Sequence, residues 1–181
     1  MKRILILTTM LLFAFSSYAQ QLEGVWKSSD KFNKKVNKEI DDPDIKTSLG
    51  LLFSKTEVYV ILSLDADMEG MSMEFAVTIP GTYTRDGDHV SCTFKKLEAD
   101  FQLTDMSSDD PDMKRMLGSQ ETKAVTMQMF MGQMQPAIDE MKPELAEISD
   151  FFTDFTIKSI SPQSMTLQLD QKTEAVFTKV Q

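Results

Sequence analysis

From Met73 to Ile79 the side chains alternate, with Met73, Phe75, Val77 and Ile79 falling on one side of an extended chain. A strand of that period is apolar on one face only and has to lay that face on a core. The same code recurs along the chain. Leu49 to Phe53 and Glu57 to Leu64 read as a strand pair turning at Ser54-Lys55-Thr56, and Asp86-Gly87 is a hairpin signal leading into His89 to Lys95. Leu97, Ala99, Phe101 and Leu103 predict a further strand. Asp65 to Gly70 predicts a break, and Pro80-Gly81 a bend or bulge. After a helical block the strands return at Phe155 to Ile157, at Met165, Leu167 and Leu169, and from Glu174 to Val180. Eight or nine short strands with no repeat and no linker predict one mainly β domain. Rolling its antiparallel sheet into a barrel removes the exposed edges.

Two stretches have the helical period instead. Phe32, Val36 and Ile40 lie four apart beneath a lysine-rich face, so a short helix is predicted over 29–40. The longer block is an insertion over about 107–149. Ser107-Ser108-Asp109-Asp110-Pro111 supplies capping oxygens and a proline where its missing donor costs least. Met113, Met116, Leu117, Ala124, Met127, Met131 and Met134 then share a stripe. A break is predicted near Gly118, a second helix starting at Pro136, and a kink or restart at Pro143.

Residues 1–19 read as a signal peptide. Lys2 and Arg3 precede an apolar run from Ile4 to Phe15, and Ser17 and Ala19 give the small-x-small pattern cut before Gln20. The run is short for a bilayer span and no cysteine stands near the cut, so the expected product, 20–181, is exported to the periplasm or the cell exterior without a lipid anchor. Losing Lys2 and Arg3 takes the formal charge from -9 to -11. Such an acidic body repels phosphate backbones and anionic membranes, so nucleic acid is not an expected partner. No later segment is long and apolar enough for a transmembrane helix. Cys92 is the only cysteine, which rules out an internal disulfide; it is expected to be a small buried residue on a strand.

Leu22-Glu23-Gly24-Val25-Trp26-Lys27, just behind the export signal, carries a Gly-x-Trp triplet and the only tryptophan. Together with the meander of short strands and the final Ala175-Val176-Phe177-Thr178-Lys179, it resembles the lipocalin-like domains of exported bacterial proteins, within the broader calycin group. The resemblance implies that the tryptophan closes one end of the barrel and that a basic side chain from the last strand packs across it. Gly24, Trp26 and Lys179 are the residues placed in those roles. Eukaryotic lipocalins usually carry disulfides and a helix after the barrel; here two helices come before the last strands instead.

The expected function is to hold a small apolar or amphipathic molecule inside the barrel, lined by Phe75, Val77, Met165 and Leu167 and covered by Met127, Phe130, Met131 and Met134. Unbranched thioethers adapt to varied apolar partners, although the same methionine stripe also reads as plain core. The alternative is a closed barrel acting as an interaction module in an envelope or surface assembly. Soft-metal capture by thioethers has no histidine or cysteine nearby to support it. Asp65-Ala66-Asp67-Met68-Glu69-Gly70 opens like a calcium loop, but the closing glutamate falls on Ala76. Asp109, Asp110 and Asp112 read as a helix N-terminus. His89, the single histidine, reads as an exposed hairpin residue, and no nucleophile elbow, phosphate loop or histidine metal pair occurs. With 28 acidic residues any carboxylate pair can be proposed and none is specific. No catalysis, cofactor or metal is expected.

Overall fold

The computed structural model describes residues 22–40, 45–68 and 70–180; the predicted signal peptide lies outside them. The order is β1 (Gly24–Ser28), α1 (Asp30–Ile40), β2 (Ile45–Ser54), β3 (Glu57–Met68), β4 (Met71–Asp86) and β5 (His89–Phe94). After a 3-10 turn, Lys96–Glu98, come β6 (Asp100–Ser108), α2 (Pro111–Met116) and α3 (Gln120–Glu147). A second 3-10 turn, Ile148–Phe152, leads to β7 (Asp154–Ile160), β8 (Ser164–Gln168) and β9 (Glu174–Lys179). The sheet order β3-β2-β1-β9-β8-β7-β5-β4 returns to β3, so eight strands close an antiparallel barrel and β6 is an extra strand on β4. This architecture is compatible with a lipocalin-like fold.

β4 organises the sheet. It pairs with β3 through Met71 to Thr82, with β5 through Gly81 to Asp86, and with β6 through Met71 to Thr78. Between the last two lies Pro80, whose carbonyl accepts from the Lys95 amide at 2.8 Å. A strand residue points its N–H and C=O to the same neighbour, so the donor that proline lacks falls where that neighbour has left the ladder for the Lys96–Glu98 turn. A Cβ on Gly81 would lie 2.7 Å from the Phe94 ring and 2.8 Å from the Thr93 carbonyl. Pro80-Gly81, where the sequence predicts a bend or bulge, therefore marks a change of partner within a strand that keeps its register on β3.

Three further expectations are corrected nearby. β3 runs through Asp65, Ala66 and Asp67 to Met68, because these residues pair in register with Glu74, Met73, Ser72 and Met71. Leu97 is 97% exposed in the 3-10 turn and is not a strand residue. β6 instead begins at Asp100 and extends to Ser108. A bulge at Thr104 skips one residue against Glu74 and Phe75, which moves the buried phase from Phe101 and Leu103 to Met106.

The helical insertion splits at Gly118, as the sequence predicts, but not at Pro136. Asp110 caps α2, accepting from the amides of Asp112 at 3.0 Å and Met113 at 2.9 Å. Ser119 caps α3 through Thr122 N at 3.2 Å. α3 then continues through Pro136 and Pro143. Each proline removes one bond to the residue four back, Gly132 or Asp139, and all four residues lie on the exposed side of the helix, where water can take the carbonyl. α3 packs along β6, the strand with a neighbour on one side only.

The two ends of the barrel differ. At one, the base, lie the tight turns at Lys55-Thr56, Gly87-Asp88 and Pro162-Gln163, with the start of β1 and the end of β9. At the other, the mouth, lie α1, the C-terminal turns of α3, the Ile148–Phe152 turn and the β8–β9 loop. Between them Trp26, Leu51, Phe53, Val60, Leu62, Val77, Leu167 and Phe177 are 1% exposed or less.

Candidate functional site

At the base Trp26 is fully buried, and its indole N–H donates to the Leu22 carbonyl at 2.7 Å. Trp26 pairs with Lys179 across the β1–β9 ladder. The Lys179 ammonium lies 5.1 Å from the indole centroid, within cation–π range and worth about 0.5–2 kcal/mol depending on how dry it is. Gly24 has φ 120, and a Cβ there would stand 2.7 Å from Lys179 Cε, so a side chain would displace the lysine.

The eight residues expected to line a ligand fall into two groups. Phe75, Val77, Met165 and Leu167 are buried on inward strand faces. Met127, Phe130 and Met131 are half-buried on α3 against the same core, and Met134 is half-buried one turn on. None of the eight lines the cleft at the mouth or the smaller one at the β3–β4 tip.

The larger cleft, about 870 Å³, opens at the mouth. Its floor is apolar: Val36 of α1, Leu145 of α3, Ile148 and Phe151 of the 3-10 turn, and Leu169 at the end of β8. These side chains are buried or half-buried. Exposed Glu144, Glu147, Asp150, Asp154 and Asp170 form the rim. That volume suits a small molecule with an apolar body and a polar group.

The local fold explains how these groups meet. Ser149, fully buried, donates to the Ala146 carbonyl at 2.7 Å and tightens α3 into the 3-10 turn. The turn drives Phe152 into the core, 6.2 Å from the Phe32 ring and 6.1 Å from Phe177, and leaves Phe151 half-buried, edge-on to Phe32 at 6.4 Å. α1 is held by polar contacts as well as by Phe32 and Val36. Asn33 accepts from Ser28 and, at 3.2 Å, from the Leu49 amide, while Asn37 accepts from the hydroxyl of Thr47 and, at 3.0 Å, from its amide. Lys35 donates to the Thr173 hydroxyl at 2.6 Å, tying α1 to the β8–β9 loop.

The rim is under-neutralised. Asp150 pairs with Lys96 at 2.7 Å. Asp170 accepts from the Lys172 and Thr173 amides at 2.6 and 2.8 Å, and the hydrogen bonding led by Thr173 holds its carboxyl below the usual carboxylate range. Glu144 and Glu147 have no ion pair among the described residues. The last turn of α3 carries no basic residue, and a helix C-terminus is itself a partial negative charge.

Asp154 also belongs to a Ser-His-Asp group, but one without relay geometry. Ser91 donates to Asp154 Oδ1 at 2.7 Å, and both face the same ring nitrogen of His89, at 3.3 and 3.5 Å. A relay needs the serine on one imidazole nitrogen and the carboxylate on the other. Here the serine proton is committed to the carboxylate. His89 is 55% exposed beside the hairpin turn. Cys92 on the same strand is buried; burial, and then Asp154, push its thiol up to about 12, which keeps it protonated and unreactive at neutral pH.

The second cleft, about 280 Å³, lies at the β3–β4 tip beside Asp67 and Asp109. Asp67 accepts from Ser72 at 2.5 Å across the ladder. Asp65 and Asp67 sit on an extended strand, which holds their carboxylates apart from the wrap a calcium loop needs. Among the described residues no three histidine, cysteine or acidic side chains are placed to hold a metal ion.

The sequence gives little notice of the larger cleft, because its walls come from segments more than a hundred residues apart. The one local signal is Phe151-Phe152 directly after an acidic helix end, two aromatic neighbours that cannot both face the core of a tight turn. No family model matches the chain, and no curated protein matches it.

Proposed function

We propose that this chain is an exported, lipocalin-like barrel that binds a small amphipathic molecule at its helix-covered mouth. The observation that carries this reading is the cleft of about 870 Å³, where an apolar floor meets a charged rim beside a barrel that is closed at its other end. Export rests on the sequence pattern of residues 1–19. The seat differs from the expectation that the ligand lies under the methionine stripe: the strand faces carrying Phe75, Val77, Met165 and Leu167 point into volume shared with Trp26, Phe53 and Phe177.

Native mass spectrometry and calorimetry on the chain from Gln20, with single-tailed amphiphiles below their micelle concentration, test the reading. A micromolar complex, about -8 kcal/mol, is expected. Phe151→Glu is expected to weaken it more than tenfold, and Met131→Glu to leave it nearly unchanged. The reverse order would move the seat back under α3. No complex with any amphiphile, and no molecule carried through purification, would overturn the proposal.

A second reading, a docking module in an envelope assembly, rests on Val125 and Met129, four apart on α3 and 55% and 64% exposed. No helix among the described residues is long and apolar enough to cross a membrane.

A further inference from the structure

We infer that the occupant of the mouth cleft carries a positive head, an ammonium group on a short apolar body. This rests on the reading of the cleft as an amphiphile site and adds the charge. Two features of the cleft agree.

The first is charge complementarity over an apolar floor. Of the cleft's ionisable side chains, all five are carboxylates among the described residues, and only Asp150 is in an ion pair with a lysine. Lys35, whose charge reaches Asp170, donates to the Thr173 hydroxyl at the edge. A ligand seated on Leu145 and Phe151 thus meets unbalanced negative charge wherever its head emerges. The Phe151 ring adds a face of the kind that attracts ammonium groups.

The second is the end of α3. Helix stability favours lysine or arginine in the last turn, because the macrodipole is negative there. This chain places Glu144 and Glu147 in that turn, with no basic residue among them. Their charges add to the field of the helix end instead of cancelling it. The arrangement costs the helix stability and is offset when a cation occupies the cleft.

The test uses the chain from Gln20 and three twelve-carbon amphiphiles below their micelle concentrations: a trimethylammonium, a neutral glucoside and a carboxylate. The trimethylammonium compound is expected to bind about tenfold more tightly than the glucoside, equivalent to ~1.4 kcal/mol. That advantage should shrink as ionic strength rises from roughly 0.02 to 0.3 M, since the Debye length falls to below about 8 Å. The carboxylate compound should bind more weakly than either. The paired substitution Glu144→Gln and Glu147→Gln, on exposed side chains without ion pairs, should erase most of the preference, read as the ratio of trimethylammonium to glucoside affinity. Equal binding of the cationic and neutral compounds overturns the inference and spares the amphiphile reading. A cationic preference that survives the paired substitution assigns the attraction to the acidic body at large and also overturns it. Binding of none of the three removes both.

Discussion

The base and the mouth of this barrel are closed by different physics. At the base tight hairpin turns join fully paired strands, and the seal is a single indole with no exposed surface, capped by Lys179. At the mouth the cover is stitched on by Asn33, Asn37, Lys35 and Lys96, and the β5–β7 seam that leads up to it has three register pairs, from His89 to Ser91. Apolar burial is non-directional and strong in bulk; a few polar stitches are directional and individually modest. The base is therefore built to stay shut. The mouth is where the chain can reshape at low cost.

That contrast can be broken from the base. Trp26→Ala removes the largest fully buried side chain and is expected to cost about 3–5 kcal/mol in urea unfolding. A loss under about 1 kcal/mol would mean that the base is not sealed by the indole.

The β5–β7 seam is probed by pH. The Cys92 thiol is raised from its ordinary 9.0 to about 12 in the folded chain. The unfolded chain gives up that proton first, so stability is flat below about 9 and falls as pH rises toward about 12. The slope is at most about 1.4 kcal/mol per pH unit. Tyr83, also raised by burial, adds to the fall in the same direction. Subtracting the profile of Cys92→Ala, which retains Tyr83, leaves the thiol together with its own small push on Tyr83. Identical profiles above pH 9 would show that the seam does not bury it.

The smallest expected effect is at the mouth. Asn33→Ala leaves the Leu49 amide and the Ser28 hydroxyl without their acceptor and is expected to cost about 1 to 2 kcal/mol. Hydrogen exchange should quicken in α1 and the first half of β2, while Trp26 fluorescence stays unchanged. A shifted indole spectrum would show that the two ends are coupled.

How much of this could be read in the chain follows from the range of the forces involved. The alternation of Met73 to Ile79 and the Asp86-Gly87 turn are local, and they placed their strands. Pro80-Gly81 misled because a partner change and a bend leave the same residues behind; the difference lies in Lys95, which turns away opposite the proline. Leu97 continued an apolar pattern yet stands in solvent, since a 3-10 turn resets the phase. Pro136 looked like a helix start because proline is at home there, but on the wet side of α3 the missing bond is cheap. The cleft was illegible for a different reason. Val36, Phe151 and Asp170 share no local pattern and meet only once the ring has closed.

One consequence follows from the way β5 passes straight to β7 in the ring. Everything from Lys95 to Thr153 is an excursion whose removal from the ledger would leave each remaining strand with both its neighbours. Drift in the length or wording of that excursion can thus reshape the mouth without renegotiating a single register in the wall. A lineage carrying this scaffold is free to rewrite its cover one loop at a time.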